Sequence, residues 1–180
     1  MKLYLIMVFI CIMSLPVSSF ADSAGMQSRM QPIGHGEVRY MGFIKVYDAS
    51  LLASRATSGG KVLDAEISKC LVLKYAVALS VDKFIRGAEM VLQRQHDKED
   101  LAAVQQQIDA LHAGYRDVQE GDSYSLCYDA ASSTTTLSLN DAELVRIVSA
   151  DFARFYFGIW LGPVDPLDED LRDDLLAIKQ

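Results

Sequence analysis

The chain has 180 residues, 51% of them hydrophobic, and its 17 basic and 24 acidic residues give a net charge of −7 at pH 7. An acidic surface without a basic cluster repels phosphate backbones, which argues against nucleic-acid binding. The length suits one domain with a real core.

Lys2 is the only charged residue before Asp22, and Leu3 to Leu15 form a nearly unbroken apolar run that Pro16 ends. Ser19-Phe20-Ala21 then places small residues three and one before a cut. A positive end, an apolar middle and a small-x-small site make the pattern of a secretory signal. A membrane span needs about 20 apolar residues, more than this run supplies. The expectation is a cleaved signal peptide over 1–21, leaving 159 residues of net charge −8 after the loss of Lys2. The mature protein is then periplasmic or secreted, with no membrane anchor after processing. Cys70 and Cys127 survive the cut. An oxidising compartment permits them to pair, but only if their strands bring them together. Pairing and two separate buried thiols both stay open, and separate thiols are favoured.

Residues 22–33 are small and polar and read as a flexible lead-in to one domain over 34–180. Glu37 to Tyr47 reads as one extended segment, with Val38, Tyr40 and Val46 among its β-formers. Ser58-Gly59-Gly60 is a turn signal, and Cys70 to Leu79 is the strongest strand of the chain. Ser80 can cap a helix carrying Phe84, Ala88, Val91 and Leu92 at helical spacing. Asp97 can cap a second, with its stripe at Leu101, Val104, Ile108, Leu111, Tyr115 and Val118. Ser123 to Tyr128 and Thr134 to Leu139 form a hairpin, and Asn140-Asp141 makes a turn before the short apolar stretch Leu144 to Val148. Ser149 caps a third helix with Phe152, Phe155, Tyr156, Ile159 and Trp160, and a last one opens at Asp165-Pro166. Strands, two helices, strands and two helices in that order point to an α+β layer rather than alternating βαβ units.

His35, His96 and His112 are far apart in sequence and show no metal-ligand spacing. His35 reads as a loop residue between Gly34 and Gly36, and His112 as a solvated position on its helix. No GxSxG elbow and no phosphate loop occur, so no metal and no cofactor are expected. Arg39 and Tyr47 are the candidate site residues. They lie eight apart in a β-prone segment, and in an uninterrupted strand an even offset puts both on one face. A guanidinium beside a phenol can clamp a carboxylate or phenolate oxygen. Composition alone still favours an outward Arg39 and a core Tyr47.

Gly36-x-x-Arg39 followed by Gly42-Phe43-Ile44-Lys45-Val46-Tyr47-Asp48-Ala49-Ser50-Leu51 resembles the opening of chalcone isomerase-like domains. Leu137-Ser138-Leu139-Asn140, Phe152-Ala153 and Phe155-Tyr156-Phe157-Gly158-Ile159-Trp160-Leu161-Gly162 are similar to that family's closing segments, and Pro166-Leu167 and Leu171 to Leu176 continue the match. The resemblance implies an open-faced antiparallel β-sheet with helices packed on one side and a cleft between the two. Plant members close a chalcone to a flavanone there. Other relatives bind fatty acids, holding the carboxylate with an arginine and a tyrosine that correspond to Arg39 and Tyr47. The family's threonine and asparagine partners have no counterpart here, and Asn140 reads as a turn residue.

The favoured reading is a non-catalytic binder of a fatty acid or similar apolar carboxylate. The alternatives are an isomerase, or intramolecular lyase, acting on a chalcone-like phenolic substrate, and an envelope protein that binds a protein partner. In the last case Phe155, Phe157 and Trp160 would fill the cleft. Catalytic residues are not assigned.

Overall fold

The computed structural model describes residues 23–54 and 59–178. The expected signal peptide over 1–21 lies outside the described residues. Six strands form one antiparallel sheet in sequence order: β1 Gln31–Tyr40, β2 Ile44–Ala53, β3 Lys69–Tyr75, β4 Ser123–Asp129, β5 Thr134–Leu139 and β6 Ala142–Val148. Helices α2 Val81–Gln95, α3 Lys98–Gly114, α4 Ala150–Leu161 and α5 Glu169–Leu175 pack on one side, and a short α1 Ser23–Gln27 precedes the sheet. This is the open-faced α+β architecture expected. α1 and the first residues of β1 fall within the segment read as a lead-in. Among the described residues no helix is long and apolar enough to cross a membrane.

Strand alternation sets which face is covered. Tyr47, Ala49, Leu51 and Ala53 of β2 point to the helices and are buried, whereas Asp48 and Ser50 face outward. Leu71, Leu73 and Tyr75 of β3 continue the inner row, as do Tyr124, Leu126 and Tyr128 of β4. Over them lies α4, with nine of its twelve residues buried, Phe152 to Leu161 among them. Ser149 caps it by accepting from the Phe152 N–H at 3.1 Å. Asp151 and Arg154 near its start face water, but from Phe155 onward every residue is buried, as in a helix with other elements around it.

Several local readings change. The extended segment Glu37–Tyr47 is two strands, because Met41 and Gly42 take positive φ (53° and 78°) and turn the chain back. Ser80 stands at the N-cap of α2 without a side-chain cap. Instead Asp117, from another part of the chain, accepts from the Val81 N–H at 2.8 Å. The last helix starts later than expected, with Asp168 capping through the Leu171 N–H at 2.9 Å. The apolar stretch near Leu144 is the edge strand β6. His35 lies inside β1 opposite Ser50, not in a loop. Its neighbour Gly34 is there for space, since a Cβ would collide with the Asp174 and Leu175 carbonyls of α5. His112 is buried against the Tyr115 and Tyr156 rings, not solvated, because α4 covers that flank of α3.

Cys70 and Cys127 are directly opposed on β3 and β4 and form a disulfide, so the favoured reading of separate thiols is corrected. Only the register of two strands 57 residues apart decides this. A cross-link of that span contributes about 4 kcal/mol if it acts mainly on the unfolded chain.

Lys69 is fully buried. Its Nζ donates to the Asp64 carbonyl at 3.1 Å and the Ile67 carbonyl at 3.2 Å, and sits 4.6 Å over the Tyr128 ring. Burial pushes its pKa from 10.5 down to about 8, against the pull of Asp64 and Glu66. The folded value lies below the unfolded one. Below pH 8 the fold therefore carries the cost of a buried charge, and this cost is relieved as pH rises from 8 to 10.5. Urea unfolding at several pH values should show the parent gaining up to about 3 kcal/mol over Lys69→Met across that window. Buried tyrosines pull the other way in both proteins, so the difference isolates Lys69. A flat difference would mean that its neighbours fully compensate the ammonium.

Candidate functional site

The inner sheet face and the helices do not close completely. A cavity of about 150 Å³ remains between them. Its floor is the sheet, chiefly Tyr47, Leu73, Tyr75 and Leu126, and its walls include Phe84 of α2, Tyr115 beyond the end of α3, and Ile159 and Trp160 of α4. Lys83, exposed on the first turn of α2, is the single charged residue among the described lining. Phe155 and Phe157 are buried but do not line the cavity, whereas Trp160 forms part of its wall.

Aromatic rings tile this space edge to face. Tyr75 lies 5.6 Å from Tyr47, 5.5 Å from Phe84 and 6.2 Å from Tyr124, centroid to centroid. Phe84 stacks on Tyr115 at 5.4 Å. Such contacts add to the burial of each ring and fix its orientation. The row exists because Tyr47, Tyr75 and Tyr124 fall on inward positions of three neighbouring strands.

Most of the phenols are engaged. The Trp160 indole N–H donates to the Tyr47 hydroxyl oxygen at 3.2 Å. The hydroxyls of Tyr115 and Tyr156 share a hydrogen bond of 2.8 Å. The Tyr124 hydroxyl accepts from the Arg116 N–H at 2.7 Å and donates to the Arg116 carbonyl at 2.9 Å. Tyr47 accepts from Trp160 and gives its own proton to no described residue. Tyr75 is only 3% exposed, and its hydroxyl bonds to no described residue at all. Burial raises the pKa of Tyr47, Tyr75 and Tyr115, and the Trp160 donation only partly offsets this at Tyr47. All three stay protonated at neutral pH, so the cavity offers O–H donors and no phenolate.

The two expected site residues are not brought together. Tyr47 lines the cavity, and Arg39 does not. Arg39 lies on the outgoing strand of the hairpin, opposite Lys45, and a register shift separates it from the Val38–Tyr47 pair. Its guanidinium is exposed and bonds Glu37 at 2.6 Å, while Lys45 bridges Glu37 at 3.4 Å and Asp48 at 2.6 Å. The even-offset argument assumed one continuous strand. Met41-Gly42 breaks that strand and sends Arg39 into a surface ion cluster. Sequence reasoning missed Tyr75, Tyr124 and Lys83 as cavity residues. The first two were legible as alternate positions in strong strands, but the space above them was not.

A chalcone isomerase-like family model matches residues 21–177. Comparison by sequence with the curated proteins finds no match. By structure, the chain is similar to the crystal structure of a fatty-acid binding protein from Arabidopsis thaliana, with a TM-score of 0.61 and 15% identity. That likeness covers 82% of this chain and 87% of the plant protein, and at such low identity it speaks to the fold alone.

The Tyr47–Trp160 bond ties sheet to helix at the cavity wall. Tyr47→Phe and Trp160→Phe should each lower stability by about 1–2 kcal/mol, the first by leaving a buried indole N–H unpaired. A double-mutant cycle by denaturant unfolding should return a coupling of about 1 kcal/mol. Strict additivity would mean that the bond is not formed in solution.

Proposed function

The chain belongs to the chalcone isomerase-like family, and from that premise we propose that it binds a small apolar carboxylate, a fatty acid or a molecule of similar character, without transforming it. The observation that carries this reading is the make-up of the cavity: aromatic and aliphatic walls, with one cation, Lys83, among the described lining. An apolar body gains about 0.8 kcal/mol for each buried methylene. Its acid group then meets the Lys83 ammonium, and the Tyr47 hydroxyl has a proton to donate toward it. Lys83 takes the place that the family resemblance gave to Arg39. Protonated phenols whose pKa is raised are weak general bases at neutral pH, which favours binding over proton-transfer chemistry.

The Cys70–Cys127 disulfide supports work in an oxidising compartment, and with the signal pattern it favours export. Intact-mass analysis of the protein recovered from its own cells should find Asp22 as the first residue and the two thiols blocked. A retained N-terminus with free thiols would sink the export reading.

The cavity holds the sole tryptophan of the chain, so its fluorescence reports on occupancy. Titration with octanoate should change that emission saturably. Lys83→Glu should weaken the affinity about tenfold or more, as expected when an opposite charge becomes a like one, whereas Arg39→Ala should leave it unchanged. Loss of binding in Arg39→Ala but not in Lys83→Glu would restore the arginine clamp. No response from the parent protein to octanoate or to longer and aromatic acids would end the carboxylate reading.

A further inference from the structure

Tyr75 stands apart from the other tyrosines of the cavity. Its ring is wedged among Tyr47, Phe84 and Tyr124, and the side chain lines the cavity while being almost wholly shielded from bulk water. Tyr115, Tyr124 and Tyr156 each have a hydroxyl partner within the protein, and Tyr47 accepts from Trp160. Tyr75 has none among the described residues. The Tyr75 side chain lines the cavity and its hydroxyl is not among the buried atoms left without a partner, so the O–H keeps access to the cavity space. It is therefore available to donate to a bound molecule that presents an acceptor.

The dimensions narrow the class of that molecule. A dry apolar cavity of roughly this size accepts a benzene ring, and 150 Å³ walled by rings suits a flat body better than a long unbranched chain. Resting on the carboxylate reading above, we infer that Tyr75 is a second ligand-binding and specificity-determining residue, and that the preferred ligand is a compact monocyclic aromatic acid bearing a further oxygen. The carboxylate lies at the Lys83 mouth, the ring lies between Phe84, Trp160 and the sheet, and the Tyr75 O–H donates to the oxygen carried by the ring. Specificity follows from the geometry. A ring without that oxygen leaves the hydroxyl unpaired, and a long alkyl chain exceeds the cavity.

The test is a cycle between one protein atom group and one ligand atom group. Trp160 emission and calorimetry would be used to compare 4-hydroxyphenylacetate, phenylacetate and palmitate on the parent protein and on Tyr75→Phe. The parent should bind 4-hydroxyphenylacetate about tenfold more tightly than phenylacetate, the effect of one hydrogen bond, and palmitate least. Tyr75→Phe should erase the preference, hold phenylacetate within about twofold, and melt no lower than the parent. A preference that survives in Tyr75→Phe, or is absent from the parent, overturns the role of Tyr75. Palmitate binding tightest overturns the size argument and leaves the carboxylate reading standing. If the parent binds none of the three and also ignores octanoate, both readings fall together.

Discussion

Everything in this fold leans on a helix that cannot face water. From Phe155 to Leu161 α4 is buried on every side, and only Asp151 and Arg154 near its start are exposed, so its burial requires a sheet beneath it and helices beside it. The sheet offers a continuous apolar inner face only because six consecutive strands pair in sequence order and keep their alternation in phase. α2 and α3 close over the flanks of α4, and α5 reaches β1 where Gly34 and Gly36 leave no side chain in the way. With α4 exposed, the other helices would lose the surface on which they pack.

The same helix creates the cavity. Its last turns carry Ile159 and Trp160, large side chains that meet the sheet above a row of tyrosines. Rings packed edge to face hold their neighbours at centroid separations of about 5–6 Å and leave gaps that smaller aliphatic side chains would collapse. The Trp160–Tyr47 hydrogen bond fixes the height of the helix above the strand at the same place. An aromatic core with directional polar ends keeps space open, where a core of leucines would fill it. The cavity is thus a consequence of how the core is made.

Electrostatically the molecule separates its charges from this space. Arg39, Glu37, Lys45 and Asp48 satisfy one another on the outer side of the first hairpin. Lys69 is buried far along the inner face, against Tyr128 and Phe157, held by two carbonyls and two rings. Lys83 alone among the described lining residues brings charge to the cavity, and it does so from an exposed helical turn where its ammonium stays hydrated. Phenols supply polarity deeper in. The cavity therefore has a cation at its rim and phenols on its walls, without the cost of an uncompensated buried charge.

The amino-acid sequence by itself determined the class of fold, the helix caps at Asp97 and Ser149, the hairpin from Ser123 to Leu139 and the family. These are local or periodic signals, read within one or two turns of the chain, and they met no competing tertiary demand. What depended on distant segments was decided only by the tertiary structure. A three-residue turn at Met41-Gly42-Phe43, hidden in a β-prone stretch, split one expected strand into two and left Arg39 outside the cavity that Tyr47 lines. Register between β3 and β4 set Cys70 opposite Cys127. Cover by α4 buried His112, which helical periodicity alone had left facing water. Tyr75 and Lys83 line one cavity because a strand end and a helix start meet across a space that neither segment encodes. Local chemistry specifies which faces must be hidden, and only the assembled chain specifies what they are hidden against.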